Sequence, residues 1–225
     1  MDKAIFIAMS GAKQTMLAQQ AHANNLANVK TTGFKEDFTQ ARSMPVYGEY
    51  YPTRAYAMTE RPGTNFDSGP LIQTGNNLDV AIKGDGWIAV QAEDGSEAYT
   101  RAGDFNIDIN GQLRTGKGLP VLGDGGPIVL PPSAKIEIGA DGTIFVLPLG
   151  AQVVGLAIVD RIRLVNPDAA DLEKSEDGLV HLKEGVAPPI PDGDIQVAPG
   201  FLEGSNVNAV SALTDILSLS RQYEL

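Results

Sequence analysis

The sequence predicts an α+β protein in which long N- and C-terminal helices pair as a coiled-coil-like bundle. An extended connector joins them to an all-β central domain, either a barrel or a sandwich. Apolar residues recur at helical spacing at both ends of the chain, whereas the middle alternates with period two between Gly-rich turns. The expected divisions are residues 1–30, 31–77, 78–203 and 204–225.

A heptad pattern runs along the predicted N-terminal helix, from about Asp2 to Lys30. Its positions step alternately by four and three residues, which predicts a helix-pairing seam at Ile5, Met9, Ala12, Met16, Gln19, Ala23 and Leu26. Ala and Gln weaken such a seam, so close packing against several helices is favoured over a two-stranded zipper. A helix of about 28 residues would span roughly 40 Å, too long for a small domain to cover.

Three asparagines, Asn24, Asn25 and Asn28, share one face of this helix, away from the seam. Asn favours caps and turns over helix interiors, so the cluster needs an explanation. One interpretation is a face that hydrogen-bonds to other helices, and the other is a solvated polar face. His22 flanks the seam, where packing is favoured over chemistry.

The expected connector, Thr31–Asn77, begins where Gly33 interrupts the helical pattern. Four prolines restrict its backbone to extended or turn geometry, and no apolar run is long enough for a core. Its many aromatic residues indicate that it becomes ordered against neighbouring surfaces in an assembly: Tyr47, Tyr50, Tyr51, Tyr56 and Phe66.

The central region, from Leu78 to about Glu203, has the spacing of β-hairpins. Trp87–Gln91 leads through Asp94-Gly95 into a second apolar run. Asn110-Gly111 is a strong two-residue turn signal, and Asp141-Gly142 is another. The longest apolar strand is expected at Gln152–Val159.

The C-terminal region predicts a helix over about Asn206–Leu225, which Ser205 or Asn206 could cap. Its apolar residues again step by three and four. They supply the second half of the helix-pairing seam: Val207, Val210, Leu213 and Leu217.

Composition excludes several classes of function. The net charge is −11, with the acidic excess after residue 60, which disfavours nucleic-acid binding. No apolar run reaches the roughly 18 residues of a membrane span. Ala4–Met9 is too short for a signal-peptide core, so we expect the N-terminus to be retained. Without cysteine, the chain has neither disulfides nor thiolate metal sites.

Catalytic and metal sites are not predicted. Asp104, Asn106, Asp108 and Asn110 superficially resemble a calcium loop, but Lys117 stands where a bidentate Glu is needed. Strand alternation explains these residues better. His22 and His181 lie in different regions, and the Gly-Asp-Gly segments lack the context of a nucleotide site. We therefore expect no enzyme activity and no cofactor.

Blocks at both ends and in the middle resemble the bacterial flagellar rod and hook proteins. The N-terminal block covers Ala18–Lys35 and contains the pattern N-N-L-A-N-x-x-T-x-G-F-K, which begins at Asn24. The C-terminal block covers Leu202–Glu224, and central blocks include Leu78–Ile82 and Tyr99–Phe105. The opening, Met1–Ile5, is most similar to the proximal rod members.

The resemblance implies a structural subunit of the proximal rod, in the flagellar basal body, that transmits torque across the periplasm. Implied partners are other proximal and distal rod subunits, copies of itself and the flagellar type III export apparatus. Expected inter-subunit contacts are Asn24, Asn25, Asn28, Gly33 and Phe34. Family members usually continue for several turns beyond the position of Leu225. The alternatives are a wall-active β-domain hydrolase and a secreted adhesion or binding module.

Overall fold

The computed structural model describes residues 4–38, 41–47, 52–59, 63–148, 156–175 and 177–224. Helix α1 spans Ala4–Ala27 and helix α2 spans Ala209–Glu224. Between them lie short strands: β1 (Asp37–Phe38), β2 (Ala41–Tyr47), β3 (Pro52–Thr59), β4 (Gly63–Thr64), β5 (Leu71–Gln73), β6 (Val80–Lys83), β7 (Trp87–Gln91), β8 (Glu97–Thr100), β9 (Phe105–Ile107), β10 (Leu113–Thr115), β11 (Leu122–Gly123), β12 (Gly126–Pro127), β13 (Ser133–Ile138), β14 (Thr143–Pro148), β15 (Ala157–Arg161), β16 (Leu164–Val165), β17 (Leu172–Lys174), β18 (Val180–Leu182), β19 (Gln196–Pro199) and β20 (Phe201–Glu203). A 3₁₀ turn covers Ala169–Asp171.

The chain divides into two compact units. The first comprises Met1–Lys30, Lys35–Asp67 and Asn206–Leu225, and the second comprises Thr31–Phe34 and Ser68–Ser205. The predicted connector is therefore shared, because its first four residues belong to the second unit and most of the rest to the first.

The first unit contains both helices and a β-ribbon. Helix α1 contacts α2, β1 and β3. Strands β2 and β3 form an antiparallel pair, and β1 pairs with β4. The sequence analysis did not predict this pairing, because the segment shows no apolar alternation of the kind that indicates a strand. Pro45 is tolerated in β2 because a two-stranded ribbon leaves one edge of each strand free of ladder bonds.

The start of α2 differs from the predicted cap. Asn208 Oδ1 accepts hydrogen bonds from the backbone N–H groups of Val210 (3.0 Å) and Ser211 (3.2 Å), so Asn208 is the N-cap. Ser205 and Asn206, the predicted caps, precede the helix by more than one residue. Among the described residues, no helix combines the length and the apolar character needed to cross a membrane.

The second unit is built from antiparallel strands around one apolar core. A five-stranded sheet has the order β16–β7–β8–β18–β17, and β13, β14 and β15 form another sheet. Short pairs complete the unit: β5–β20, β6–β19, β9–β10 and β11–β12. The predicted β-rich middle is confirmed, but the described strands do not close into a barrel. The largest fully buried core side chains include Ile88, Leu113, Ile128, Ile144 and Ile162.

The hairpin predicted at Asn110-Gly111 is present, but its turn is longer than the two residues expected, because the N–H of Asp108 donates to the carbonyl oxygen of Gln112. Strands β9 and β10 pair across it, and Gly111 has φ +80°. A Cβ at this position would lie 2.4 Å from the carbonyl oxygen of Leu130, so both the turn and the packing require Gly. The long strand predicted at Gln152–Val159 lies partly outside the described residues, and β15 begins at Ala157.

Candidate inter-subunit surface

One face of α1 is partly covered within the chain. Its half-buried positions step by four and three, as the predicted seam does, but they are shifted by two residues. They are mostly small or polar: Ile7, Gly11, Gln14, Ala18, Ala21 and, fully buried, Asn25. Small side chains on a helix let a neighbouring element approach closely.

The predicted seam of α1 lies largely on the opposite, open face. The exposed fractions are 64% for Ile5, 62% for Met9 and 57% for Met16, and Ala23 is also exposed. Ala12 and Leu26 are half-buried at the border of the two faces. Phe6 and Leu17 extend the exposed apolar area of this helix.

Helix α2 shows the same division. Ala212 is buried, and Ile216 and Leu219 are half-buried. The predicted seam residues Val210, Leu213 and Leu217 remain 72%, 49% and 54% exposed. Only Val207, which precedes the helix, is buried.

The assignment to pairing between α1 and α2 is therefore corrected for the exposed seam residues, whereas for Ala12, Leu26 and Val207 it stays a prediction. The two helices contact each other, but Ile5, Met9 and Met16 do not become covered in that contact, and neither do the exposed residues of α2. The heptad pattern identifies an apolar face, and a single helix sequence does not indicate which neighbour covers it.

Asn25 has a role that neither interpretation of the asparagine cluster included. It is fully buried. Its Nδ2 donates to the carbonyl oxygen of Asp37 (2.8 Å), and its Oδ1 accepts from the N–H of Asp37 (3.0 Å). The side chain thus satisfies both backbone groups of one residue of β1, in the manner of a ladder pair. The expectation of an exposed face is wrong for Asn25.

Asn24 and Asn28 lie nearer the surface. Nδ2 of Asn28 donates to both the carbonyl oxygen (3.0 Å) and Oδ1 (2.9 Å) of Asn24. These bonds tie the last turn of α1 to the residues that follow it. Asn24 is exposed and Asn28 is half-buried, so polar atoms of the pair are accessible at this end of the helix.

Two further side chains, those of Asn206 and Lys35, hold the first unit together in roles that the sequence analysis did not predict. Asn206 Oδ1 accepts from the N–H of Glu36 (2.8 Å), while its Nδ2 donates to the carbonyl oxygen of Asn65 (2.9 Å). Lys35 is buried, and its Nζ donates to the carbonyl oxygen of Asp67 (2.8 Å). The long Lys stem is apolar, so only the ammonium group requires a partner.

Gly33 lies in the second unit with a left-handed backbone, φ +66°. Its N–H donates to the carbonyl oxygen of Glu203 (2.8 Å). A Cβ would lie 2.3 Å from the backbone nitrogen of Ala102, so only Gly fits. The next residue is Phe34, and the ammonium group of Lys174 lies 3.9 Å from the centroid of its ring. Both predicted contact residues are therefore engaged within the chain.

The region around Glu203 contains a buried charge network. Oε2 of Glu203 accepts from Nη1 of Arg101, and its Oε1 accepts from the N–H of Gly69 (2.9 Å). Arg101 Nη2 also donates to the carbonyl oxygen of Gly84 (2.9 Å), and its guanidinium lies 5.4 Å from the ring centroid of Trp87. Both carboxylate oxygens of Glu203 and both terminal nitrogens of Arg101 are thus hydrogen-bonded, whereas Nε of Arg101 is buried without a partner among the described residues.

Of the residues considered for calcium, Asp108 stabilises a turn. Asp108 Oδ1 accepts from the N–H groups of Asn110 (2.8 Å) and Gln112 (2.9 Å), and Arg114 pairs with Oδ2. These hydrogen bonds lower the pKa of the Asp108 carboxyl. Among the described residues, no three acidic or histidine side chains are grouped to hold a metal ion.

A surface cavity of about 440 Å³ contains residue types found in hydrolases. Ser175, Asp177 and His181 line it together with Glu93 and Lys117. His181 Nε2 lies 3.3 Å from Asp177 Oδ2. No hydrogen bond joins Ser175 Oγ to His181 in the described part of the chain, so the nucleophile–base connection of a catalytic triad is not formed.

Three family models match the chain. One, described as flagella basal body rod protein, matches residues 5–35. Another, the D1 domain of flagellar hook protein FlgE/F/G, matches residues 81–146. The third, the C-terminal model of flagellar basal body rod FlgEFG protein, matches residues 198–225. The matched segments contain α1, the middle of the second unit and α2.

Curated relatives match over the whole chain. The flagellar basal-body rod proteins FlgF of Escherichia coli (strain K12) and of Salmonella typhimurium are each 41% identical, with 100% of this chain and 91% of each relative covered. The FlgF protein of Caulobacter vibrioides is 37% identical, with 100% of this chain and 90% of the relative covered. The names of these relatives describe rod proteins and favour neither of the alternative functions, a hydrolase or an adhesion module. The chain belongs to the family of flagellar basal-body rod proteins of the FlgF type.

Proposed function

We propose that this protein is a structural subunit of the proximal part of the flagellar rod, and that it transmits torque from motor to hook. The observation that carries the proposal is the exposed apolar surface on both terminal helices. We call it the outer helical face and define it as Ile5, Phe6, Met9, Met16, Leu17, Val210, Leu213 and Leu217. An apolar surface of this kind indicates an interface with another protein.

The energetics support assembly through this face. Complete burial of a Leu, Ile or Met side chain contributes about 1.5–3 kcal/mol. Ile5, Met9 and Val210 are each more than 60% exposed, so most of that contribution is still available to a neighbouring subunit. Several such side chains offset the translational and rotational freedom lost on association.

The partners that we propose are other proximal and distal rod subunits and further copies of this chain. Family membership supports assembly among flagellar components. We also propose passage through the flagellar type III export apparatus. The absence of cysteine is consistent with export of an unfolded chain, because no disulfide has to form or break.

We further propose that different segments of the chain have different roles. Residues 1–30 and 204–225 form the helical assembly part, 31–77 connect it to the rest, and 78–203 form a β-rich body. Asn24 and Asn28 offer accessible amide groups for contacts to a neighbouring subunit at the end of α1. Changing both to Ala tests that role, because normal incorporation into rods would assign them to intramolecular structure alone.

The test of the main proposal places a charge on the outer helical face. Met9→Asp and Leu217→Asp alter exposed positions, so each monomer should keep its fold while incorporation into rods and swimming are lost. Ile190→Asp is the matched control, because Ile190 is 86% exposed in the second unit. Normal motility of both helix variants, or equal loss in the control, would contradict assembly through this face.

A further inference from the structure

His22 lies between the two helices of the first unit with an unsatisfied ring nitrogen. It is on α1, and its side chain is 19% exposed. Nδ1 is buried and has no hydrogen-bond partner in the described residues, but it lies 4.0 Å from Oδ2 of Asp215 on α2. A buried polar atom without a partner is costly unless it gains a charge-assisted contact.

Two carboxylates from different parts of the first unit interact with His22, those of Asp215 and Glu36, and Asp37 in turn interacts with Glu36. Asp215 belongs to α2, Asp37 is the first residue of β1, and Glu36 directly precedes it. His22, Asp215 and Asp37 are the charged groups that act on the carboxyl of Glu36, and His22 is the one that favours its ionised form. The neighbouring cation Lys35 directs its Nζ to the carbonyl oxygen of Asp67.

The backbone fixes this arrangement. Asn25, one turn beyond His22, binds both backbone groups of Asp37. The N–H of Glu36 donates to the side chain of Asn206, which precedes α2. These bonds hold the start of β1 beside α1 and beside the residue Asn206, whether or not His22 carries a proton.

We propose that His22 is a protonation-dependent link between α1, α2 and β1. With a proton on Nδ1, the imidazolium pairs with Asp215 and offsets the negative charge of Glu36. When that proton is lost, the carboxylates face a neutral ring, and their mutual repulsion weakens the docking of α2 on α1. His is the side chain whose charge normally changes between about pH 5 and 8.

The link has a consequence for assembly, and this consequence rests on the proposed function. Both helices contribute to the outer helical face, so the arrangement of that face would depend on pH. Docked helices would present it as one surface under mildly acidic conditions, and α2 would detach more often at higher pH.

Amide hydrogen exchange on the purified monomer tests the link without requiring a rod. Protection of the α2 amides, corrected for intrinsic exchange, gives the opening constant of the helix at pH 5.5 and pH 8. We expect the opening constant to rise about two- to five-fold with pH, the range typical of a partly exposed ion pair. His22→Gln should abolish this change.

Two further variants keep the test decisive. Asp215→Asn removes the partner on a side chain that is 50% exposed, so folding is not at risk, and it should reduce the pH response similarly. His181→Gln, in the second unit, should retain the wild-type response. A wild-type opening constant that does not change with pH, or a full response in His22→Gln, would overturn the proposal. Loss of the response in His181→Gln would do so as well. Failure of the rod-incorporation test would leave this measurement unaffected.

Discussion

Arg101 Nη1 and Glu203 Oε2 lie 2.9 Å apart, with side chains that are 3% and 0% exposed. Arg101 directly follows β8, and Glu203 is the last residue of β20. The pair joins segments that are 102 positions apart in sequence, and Glu203 also binds Gly33 and Gly69 through other atoms. Glu203 therefore connects the Thr31–Phe34 segment to the rest of the second unit.

Glu203→Gln should strongly destabilise the second unit. It leaves the guanidinium of Arg101 buried without a negative partner, which costs about 3–5 kcal/mol. Glu137→Gln is the control, because its pair with Lys135 is exposed and contributes about 0–1 kcal/mol. Urea unfolding measures both changes in the free energy of unfolding. Equal effects of the two substitutions would refute the central role of the buried pair.

Gly33→Ala should release the Thr31–Phe34 segment from the second unit. The new Cβ would collide with backbone atoms of Arg101 and Ala102, in addition to the strain of a positive φ. Gly75→Ala isolates that strain, since Gly75 has φ +74° and open space around the added Cβ. We expect the free energy of unfolding to fall by about 1–2 kcal/mol in the control and by clearly more in Gly33→Ala. Protection of the Gly33 and Phe34 amides in hydrogen exchange, together with urea unfolding, reports both effects, and equal losses would argue against the collision.

Asn25→Ala should destabilise the first unit, because the backbone N–H and carbonyl of Asp37 would both lose a buried partner. The expected cost is about 1–3 kcal/mol. Asn28→Ala removes bonds nearer the surface, and its effect should stay within about 0.5 kcal/mol. Urea unfolding followed by helical circular dichroism measures the loss of stability in each variant. A larger effect of Asn28→Ala would reverse the assignment of the structural asparagine.

Glu36→Gln should stabilise the first unit at neutral pH. Burial raises the pKa of the Glu36 carboxyl above its ordinary value of 4.5, and Asp215 and Asp37 add to this, while His22 opposes it. Because the folded state holds the proton more tightly than the unfolded chain, this contribution to stability is lost as pH rises from 4.5 through the folded-state pKa.

The stabilisation by Glu36→Gln should therefore shrink as the pH falls towards about 4, where the native carboxyl also becomes neutral. Unfolding curves of wild type and variant between pH 4 and 8 measure it. Glu184→Gln, at an exposed position, controls for the change in net charge. A variant that is less stable than wild type at pH 7 would show that ionised Glu36 is favourable in the folded state.

Local patterns in the sequence identified the elements whose structure depends on near neighbours. The apolar run Trp87–Gln91 predicted β7, and the Asn110-Gly111 turn predicted the β9–β10 hairpin, because short strands and turn conformations follow from the local residues. Helical periodicity predicted α1 and α2 within a few residues of their observed ends. The motif blocks identified the family, since they retain specific residues at specific spacings.

Tertiary structure decided which faces and polar groups become buried. The heptad at Ile5, Met9 and Met16 marked an apolar face, but α1 instead covers the stripe of small residues that includes Gly11 and Ala18. The burial of Asn25 and the Arg101–Glu203 pair likewise carried no local signal, because each depends on a partner distant in sequence. The sequence of one chain determines the apolar pattern of a helix, whereas packing between distant segments determines which surface is left for other subunits.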